Sequence, residues 1–87
     1  KSTTYTASAG ERVTADVSGA AWTLTLPATP TAGDMVIVAV IVGDPTVNLL
    51  TVDGNGTNIA GAATFGLDQA ITNVTFIYNG TEWKVTI

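Results

Sequence analysis

Gly33 to Asp44 reads G-D-M-V-I-V-A-V-I-V-G-D, with eight apolar residues, Met35 to Val42, held between two Gly-Asp pairs. Four of the eight are valine and two are isoleucine. Branching at Cβ stiffens χ1 and packs well on a pleated surface, so the run predicts a strand rather than a helix. It is far short of the ~20 apolar residues a helix needs to cross a bilayer, and membrane insertion is not expected. Alternation along a strand sends Met35, Ile37, Ala39 and Ile41 to one face and Val36, Val38, Val40 and Val42 to the other. Both faces are apolar, so both need cover. Trp22, Leu24, Leu26, Leu50, Val52, Phe76 and Trp83 supply one apolar layer. The second face then requires an opposing sheet or a neighbouring subunit, which makes Val36, Val38, Val40 and Val42 the candidate subunit-interface residues.

Outward from this run, the chain keeps a period of two. Lys1 to Ala7 predicts a short edge strand with Tyr5 as its large side chain, and Ser8-Ala9-Gly10-Glu11 a turn. Arg12 to Val17 alternates, and Ser18-Gly19 turns the chain. In Ala21 to Leu26, Trp22, Leu24 and Leu26 oppose Thr23 and Thr25, the pattern of a half-buried strand ended by Pro27. Val47 to Asp53 predicts a further strand, and Asp53-Gly54-Asn55-Gly56 a dense turn. Thr57 to Phe65 is weakly patterned and suggests short strands or a bulge. Gly66-Leu67-Asp68-Gln69 predicts a turn, and a single helical turn fits only within Ile59 to Ala63 or Leu67 to Ile71. The chain closes with I-T-N-V-T-F-I-Y, Asn79-Gly80 and T-E-W-K-V-T-I, the pattern of a hairpin with a two-residue type I′ turn. Placing Tyr78 opposite Thr81 sets Phe76 against Trp83 and Val74 against Val85, with Thr75–Lys84 and Ile77–Glu82 on the other face. The fold class expected is all-β, a small antiparallel sandwich or barrel of seven to nine short strands in one domain spanning residues 1–87. The opening Lys1-Ser2, with the sole methionine at Met35, predicts a segment or processed form of a longer polypeptide.

Composition narrows the chemistry. Seven acidic residues against three basic ones argue against nucleic acid or an anionic membrane as partner. The chain has neither cysteine nor histidine, which removes the thiolate nucleophile and the commonest general base and metal ligand. Asp53 to Asn58 resembles a calcium loop only in part: Asn58 stands where the loop's glycine belongs, and Thr64 where its bidentate acid belongs. Asp34 and Asp44 bracket an extended strand about 30 Å long, too far apart for a glycosidase carboxylate pair, and read as polar strand ends. Lys84 reads as solvated decoration. Asn-x-Thr sequons occur at Asn55, Asn73 and Asn79, two of them in Asn-Gly turns that backbone geometry already explains. No catalytic, metal or cofactor-binding residues are expected, and an enzyme is the least favoured class. Among the aromatic residues, Trp22, Phe76 and Trp83 belong to the core pattern. Tyr5 and Tyr78 remain the candidate exposed contacts.

Five stretches in order carry a resemblance: A-G-E-R-V-T-A-D (9–16), W-T-L-T-L-P (22–27), A-G-D-M-V (32–36), L-T-V-D-G-N-G-T-N-I-A-G (50–61) and V-T-F-I-Y-N-G-T-E-W-K-V (74–85). With this order and spacing, nearly the whole chain resembles a β-rich module of bacteriophage tail-fibre, tail-spike and related virion structural proteins. The apolar residues after Gly33-Asp34 depart from that pattern, in which the corresponding strand carries polar residues. The resemblance implies a non-enzymatic, homotrimeric component of the virion, in a tail fibre or as a capsid decoration, that links neighbouring virion proteins or contacts a host-surface glycan or protein. The alternative is a carbohydrate-binding or adhesin module of a secreted bacterial protein.

Overall fold

The computed structural model describes residues 1–67 and 73–86. Eight strands follow in order: β1 Tyr5–Thr6, β2 Arg12–Asp16, β3 Trp22–Thr25, β4 Met35–Val42, β5 Leu50–Asp53, β6 Thr64–Leu67, β7 Asn73–Tyr78 and β8 Trp83–Thr86. They form two four-stranded sheets, ordered β1-β3-β5-β6 and β2-β4-β7-β8. The class is all-β, but the sheets are mixed rather than antiparallel. β1/β3, β3/β5 and β2/β4 pair parallel, whereas β5/β6, β4/β7 and β7/β8 pair antiparallel. Parallel neighbours cannot be joined by a tight turn and need a crossover. Here each crossover is itself a strand of the other sheet, so that from β1 to β5 the chain alternates between sheets. Period-two patterning marks each strand equally well in either arrangement, and a Gly/Pro turn that changes sheet looks like one that closes a hairpin.

The central run forms β4 with its predicted bounds. It lies between β2 and β7, with Val38 beside Val13 on one side and Val74 on the other. Val36, Val38 and Val40 point into the core and are 0%, 1% and 7% exposed. They pack with Trp22, Leu24, Leu26, Leu50 and Val52 of the opposing sheet and with Phe76 and Trp83 of their own. The opposing sheet therefore covers the valine face. Near its end β4 carries a bulge: Ala15 pairs with Val40 and Asp16 with Val42, leaving Ile41 as the extra residue. A bulge upsets the strict in–out alternation, and both Ile41 and Val42 are exposed.

Two indoles fill the interior differently. Trp22 donates its Nε1–H to the Asp16 carbonyl at 2.8 Å, tying the start of β3 to the end of β2 across the two sheets. Trp83 is fully buried, and its Nε1–H has no protein acceptor among the described residues. Phe65 and Phe76 meet edge-on across the sheets, with ring centroids 5.8 Å apart and planes at 79°.

The C-terminal hairpin forms, with its register moved by two. Tyr78 pairs with Trp83, Ile77 with Lys84, Phe76 with Val85 and Thr75 with Thr86. A shift of two changes every partner yet keeps every side chain on its face. The cause lies in the turn. Asn79 N–H donates to the Glu82 carbonyl at 3.1 Å, which centres the turn on Gly80-Thr81. Gly80 takes φ +99°, but Asn79 does not adopt the positive φ a type I′ turn at Asn79-Gly80 demands. Successive positive φ values occur instead at Asn55 (φ +56°) and Gly56 (φ +89°), and again in the weakly patterned segment. Ala60 (φ +50°) and Gly61 (φ +87°) link Ile59 and Ala62, which exchange backbone bonds of 2.6 and 3.0 Å. Ile59 anchors this turn in the core at 1% exposure.

The same segment covers the outer edge of β8, with Trp83 N–H bonding the Asn58 carbonyl and Ala60 N–H the Trp83 carbonyl, both at 2.9 Å. At the opposite edge of that sheet, Lys1 bonds β2 through Thr14 and Asp16. Unpaired edges invite aggregation, and both edges of this sheet are partly blunted. Val47, expected in a strand, lies outside β5: it and Asn48 bond back to the Asp44 carbonyl at 3.0 Å. Gly66 and Leu67, expected to open a turn, instead end β6, paired with Thr51 and Leu50; the rest of that turn, the remainder of the helical turn expected within Leu67 to Ile71, and Ile71-Thr72 of the hairpin lie outside the described residues.

Candidate interaction surface

The two sheets present unlike outer faces. On β1, β3, β5 and β6 the outward residues include Thr6, Thr23, Thr25, Thr51 and Thr64, a surface of hydroxyls that water satisfies. On the other sheet the outward positions of β4 are Met35, Ile37, Ala39 and Ile41, with Val42 joining after the bulge; Ile37 is half-buried and Ala39 is 5% exposed, which leaves apolar surface open at the Met35 end and at the Ile41-Val42 end. Met35, Ile41 and Val42 are 38%, 64% and 45% exposed. Ile77 on β7 sits beside Met35 and adds to the apolar surface at that end, while Thr75 flanks Ile37. Met35 and Ile41 stand about 20 Å apart along the strand at ~3.3 Å per residue. Arg12 and Lys84, two of the chain's three basic side chains, stand on the same face near its margins, with Asp16 as the acid among the described strand residues there.

Of the four valines assigned to an interface, Val36, Val38 and Val40 fill this chain's own core, and Val42 is exposed. On β4 the apolar side chains left uncovered are Met35, Ile41 and Val42, and Val47 and Leu49 of the loop before β5 are exposed as well. Alternation revealed two greasy faces but could not say which one the opposing sheet takes.

Tyr5 and Tyr78 are both half-buried and lie on different sheets. The Tyr5 hydroxyl donates to Glu11 Oε2 at 2.5 Å, and Lys1 Nζ lies 4.4 Å from its ring centroid. The hydrogen bond to Glu11 holds the Tyr5 phenol above its ordinary pKa. Tyr78 leans on Trp83 with ring centroids 5.5 Å apart, and its backbone is bonded to Gly33 and Asp34. These two rings do not form a single stacking platform.

The carboxylates serve the backbone. Glu11 accepts from Ser8 N–H, Asp16 from Ser18, Asp34 from Thr31, Asp44 from Thr46, Asp53 from Asn55 and Glu82 from Gly61. Every acid among the described residues thus accepts a backbone N–H. Four of them are held below the ordinary carboxylate range, chiefly by a side-chain donor: Tyr5 for Glu11, Ser18 for Asp16, Thr46 for Asp44 and Lys84 for Glu82. Lys84 Nζ lies 3.0 Å from Glu82 Oε2. Among the described residues no group of three or more potential acidic, His or Cys ligands converges on one point. Asp53 in particular accepts from Asn55 N–H at 3.2 Å, the bond of an ordinary Asx turn.

No protein-family model matches the chain, and no curated protein matches it.

Proposed function

We propose that the chain is a non-enzymatic structural and adhesive module that assembles with copies of itself as a homotrimer through the outer face of the β2-β4-β7-β8 sheet. Its setting, on the sequence resemblance, is a virion: a tail fibre or a capsid decoration that links neighbouring proteins or contacts the host surface. The observation that carries the reading is the exposure of Met35, Ile41 and Val42 on the outer face of one sheet, where the strands of the other sheet turn mostly threonine outward; Val47 and Leu49, also exposed, belong to the loop before β5. Large apolar side chains exposed together on one face, among polar neighbours, point to an interaction surface. Charge is compatible with another copy as the occupant. The face carries Arg12 and Lys84 against Asp16 and Glu82, the last ion-paired to Lys84 at 3.0 Å, whereas the whole chain has a net charge of −4. A near-neutral face can meet the more acidic surface of the next copy without like-charge repulsion. A contact between two different surfaces closes into a ring when its rotation allows, and three copies make such a ring.

The carbohydrate-binding alternative has less behind it, because Tyr5 is tied to Glu11 and Tyr78 lies on the other sheet. Native mass spectrometry tests the assembly directly. At micromolar concentration the chain runs as a trimer, and Ile41→Asp runs as a monomer with an unchanged circular dichroism spectrum. A wild-type monomer, or trimers that persist in Ile41→Asp, sinks the proposal. Stability of the variant should stay within about 0.5 kcal/mol, as for surface substitutions in general.

A further inference from the structure

The chain contains two Asn-Gly pairs, Asn55-Gly56 and Asn79-Gly80, and the fold treats their side chains in opposite ways. We propose that Asn79 is a site of spontaneous covalent self-modification, in which the Gly80 amide nitrogen attacks the Asn79 side chain and converts it to aspartate and isoaspartate.

The geometry of the Asn79 amide is that of an activated carbonyl. Its Oδ1 accepts two backbone N–H bonds, from Thr81 and from Glu82, each 2.9 Å long. The attacking atom is the next one along the chain, the Gly80 nitrogen, and its N–H makes no hydrogen bond among the described residues. Gly80 carries no side chain to shield it. A Cβ there would meet only the Ala32 side chain, at 3.7 Å, so the turn is open to water. The Asn79 Nδ2, which must depart, is likewise unbonded among the described residues.

The step balances without an outside oxidant or reductant. The Gly80 nitrogen loses its proton to solvent base and forms a bond to Asn79 Cγ. Negative charge develops on Oδ1, where the two N–H groups already point, and donors 2.7–3.1 Å from a developing oxyanion stabilise the transition state. The Cγ–Nδ2 bond then breaks, and the nitrogen takes up a proton and leaves as ammonia. Water opens the resulting five-membered imide at either carbonyl, giving aspartate or isoaspartate.

Asn55 has the same neighbour and none of this arrangement. Its Nδ2, the leaving nitrogen, is held by the Leu26 carbonyl at 3.1 Å. Its own N–H is bonded to Asp53 Oδ1 at 3.2 Å, and no N–H among the described residues donates to its Oδ1. The product at Asn79 has structural consequences. It adds a negative charge beside Glu82, and the isoaspartate form routes the main chain through Cβ at the residue whose N–H closes the hairpin on the Glu82 carbonyl.

The experiment needs only the wild-type chain. It is incubated in neutral and in mildly alkaline buffer, with and without strong denaturant. Intact-mass measurement follows the amide-to-acid change, and electron-transfer fragmentation locates it and separates aspartate from isoaspartate. In the folded chain Asn79 should convert at least about tenfold faster than Asn55, a modest share of the ~10²–10³ that one such donor contributes in a closed active site. Both conversions should quicken as pH rises, and in denaturant the ratio should fall to about one, since the two sites then share the same Asn-Gly-Thr sequence. Equal rates in the folded chain, a faster Asn55, a ratio unchanged by denaturant, or an Asn79 that reacts only when unfolded would each overturn the proposal.

Discussion

Two halves of the molecule use the same strand grammar to different ends. From β1 to β5 the chain winds between the sheets, and every ladder within that stretch is parallel. From β6 onward every ladder between strands among the described residues is antiparallel, and β7 and β8 are sequence neighbours; only the single bridge of Ile59 to Trp83 runs parallel there. The wound half relies on partners distant in sequence. Trp22 pairs with Leu50, and Arg12 with Ile37. The hairpin half relies on a local turn. Loop-closure entropy must be met before distant contacts form, so the two halves should differ in which small changes they tolerate. β4 is the seam, parallel to β2 on one side and antiparallel to β7 on the other.

The harshest break is at the seam. Val38→Asp would bury a carboxylate among valines of both halves, with no donor to meet it. An uncompensated buried charge costs about 3–5 kcal/mol, a large part of the ~5–15 kcal/mol a domain holds in total. The expected outcome is loss of the cooperative urea transition monitored by tryptophan fluorescence. A folded Val38→Asp chain would mean the sheets can part at β4 without unfolding.

A pair of glycines sharpens the contrast. Gly43, which follows β4, has φ +89°, and a Cβ there would lie 2.5 Å from the Ser18 backbone nitrogen. Gly80 in the hairpin turn has φ +99°, and a Cβ there would make only an ordinary contact with Ala32 at 3.7 Å. Alanine at either site bears about 1–2 kcal/mol for the left-handed backbone. Only Gly43→Ala also forces apart two chain segments of the winding, so it should lose about 1–3 kcal/mol more than Gly80→Ala, the usual range for overpacking. Equal urea midpoints for the two variants would show that the Gly43–Ser18 approach yields freely.

Acid should act more gently and unevenly. Glu11, Asp16, Asp44 and Glu82 all have folded pKa values below their ordinary ones. Such groups stabilise the fold fully above the unfolded carboxylate range, near pH 4, and lose that contribution as pH falls through their lower folded values. Three of the four cap turns of the wound half. Protection factors for amide exchange at Ser8, Ser18 and Thr46 should therefore fall on acidification before those at Ile77 and Lys84 do. Simultaneous loss everywhere would indicate that the caps do not govern local opening.

Much of the fold was legible because it is local. Val, Ile and Thr in alternation specify strands, and the bounds of β4 coincide with the apolar run itself. Tyr78, Phe76 and Val74 kept the face assigned to them even though their partners moved. The hairpin register was not legible, because Asn79 used its side chain to cap Thr81 and Glu82 instead of adopting a positive φ. The Ile59 anchor was nearly silent: a single large apolar residue among Ala, Gly and Thr was its one signal. The candidate surface was half legible. Alternation showed that β4 has two apolar faces, and only the packing of Trp22, Leu24 and Leu50 against the valines showed which face stays outside.

By itself the sequence determined which residues are extended, where the chain turns, and that one strand is apolar on both sides. Those properties follow from side-chain branching, period-two alternation and the backbone freedom of Gly and Asn, all of which act within a few residues. The tertiary structure alone decided which strands pair, in which direction, and which face of β4 is left to meet a neighbour. Pairing joins residues tens of positions apart, and its direction depends on whether a turn closes a hairpin or carries the chain to the other sheet.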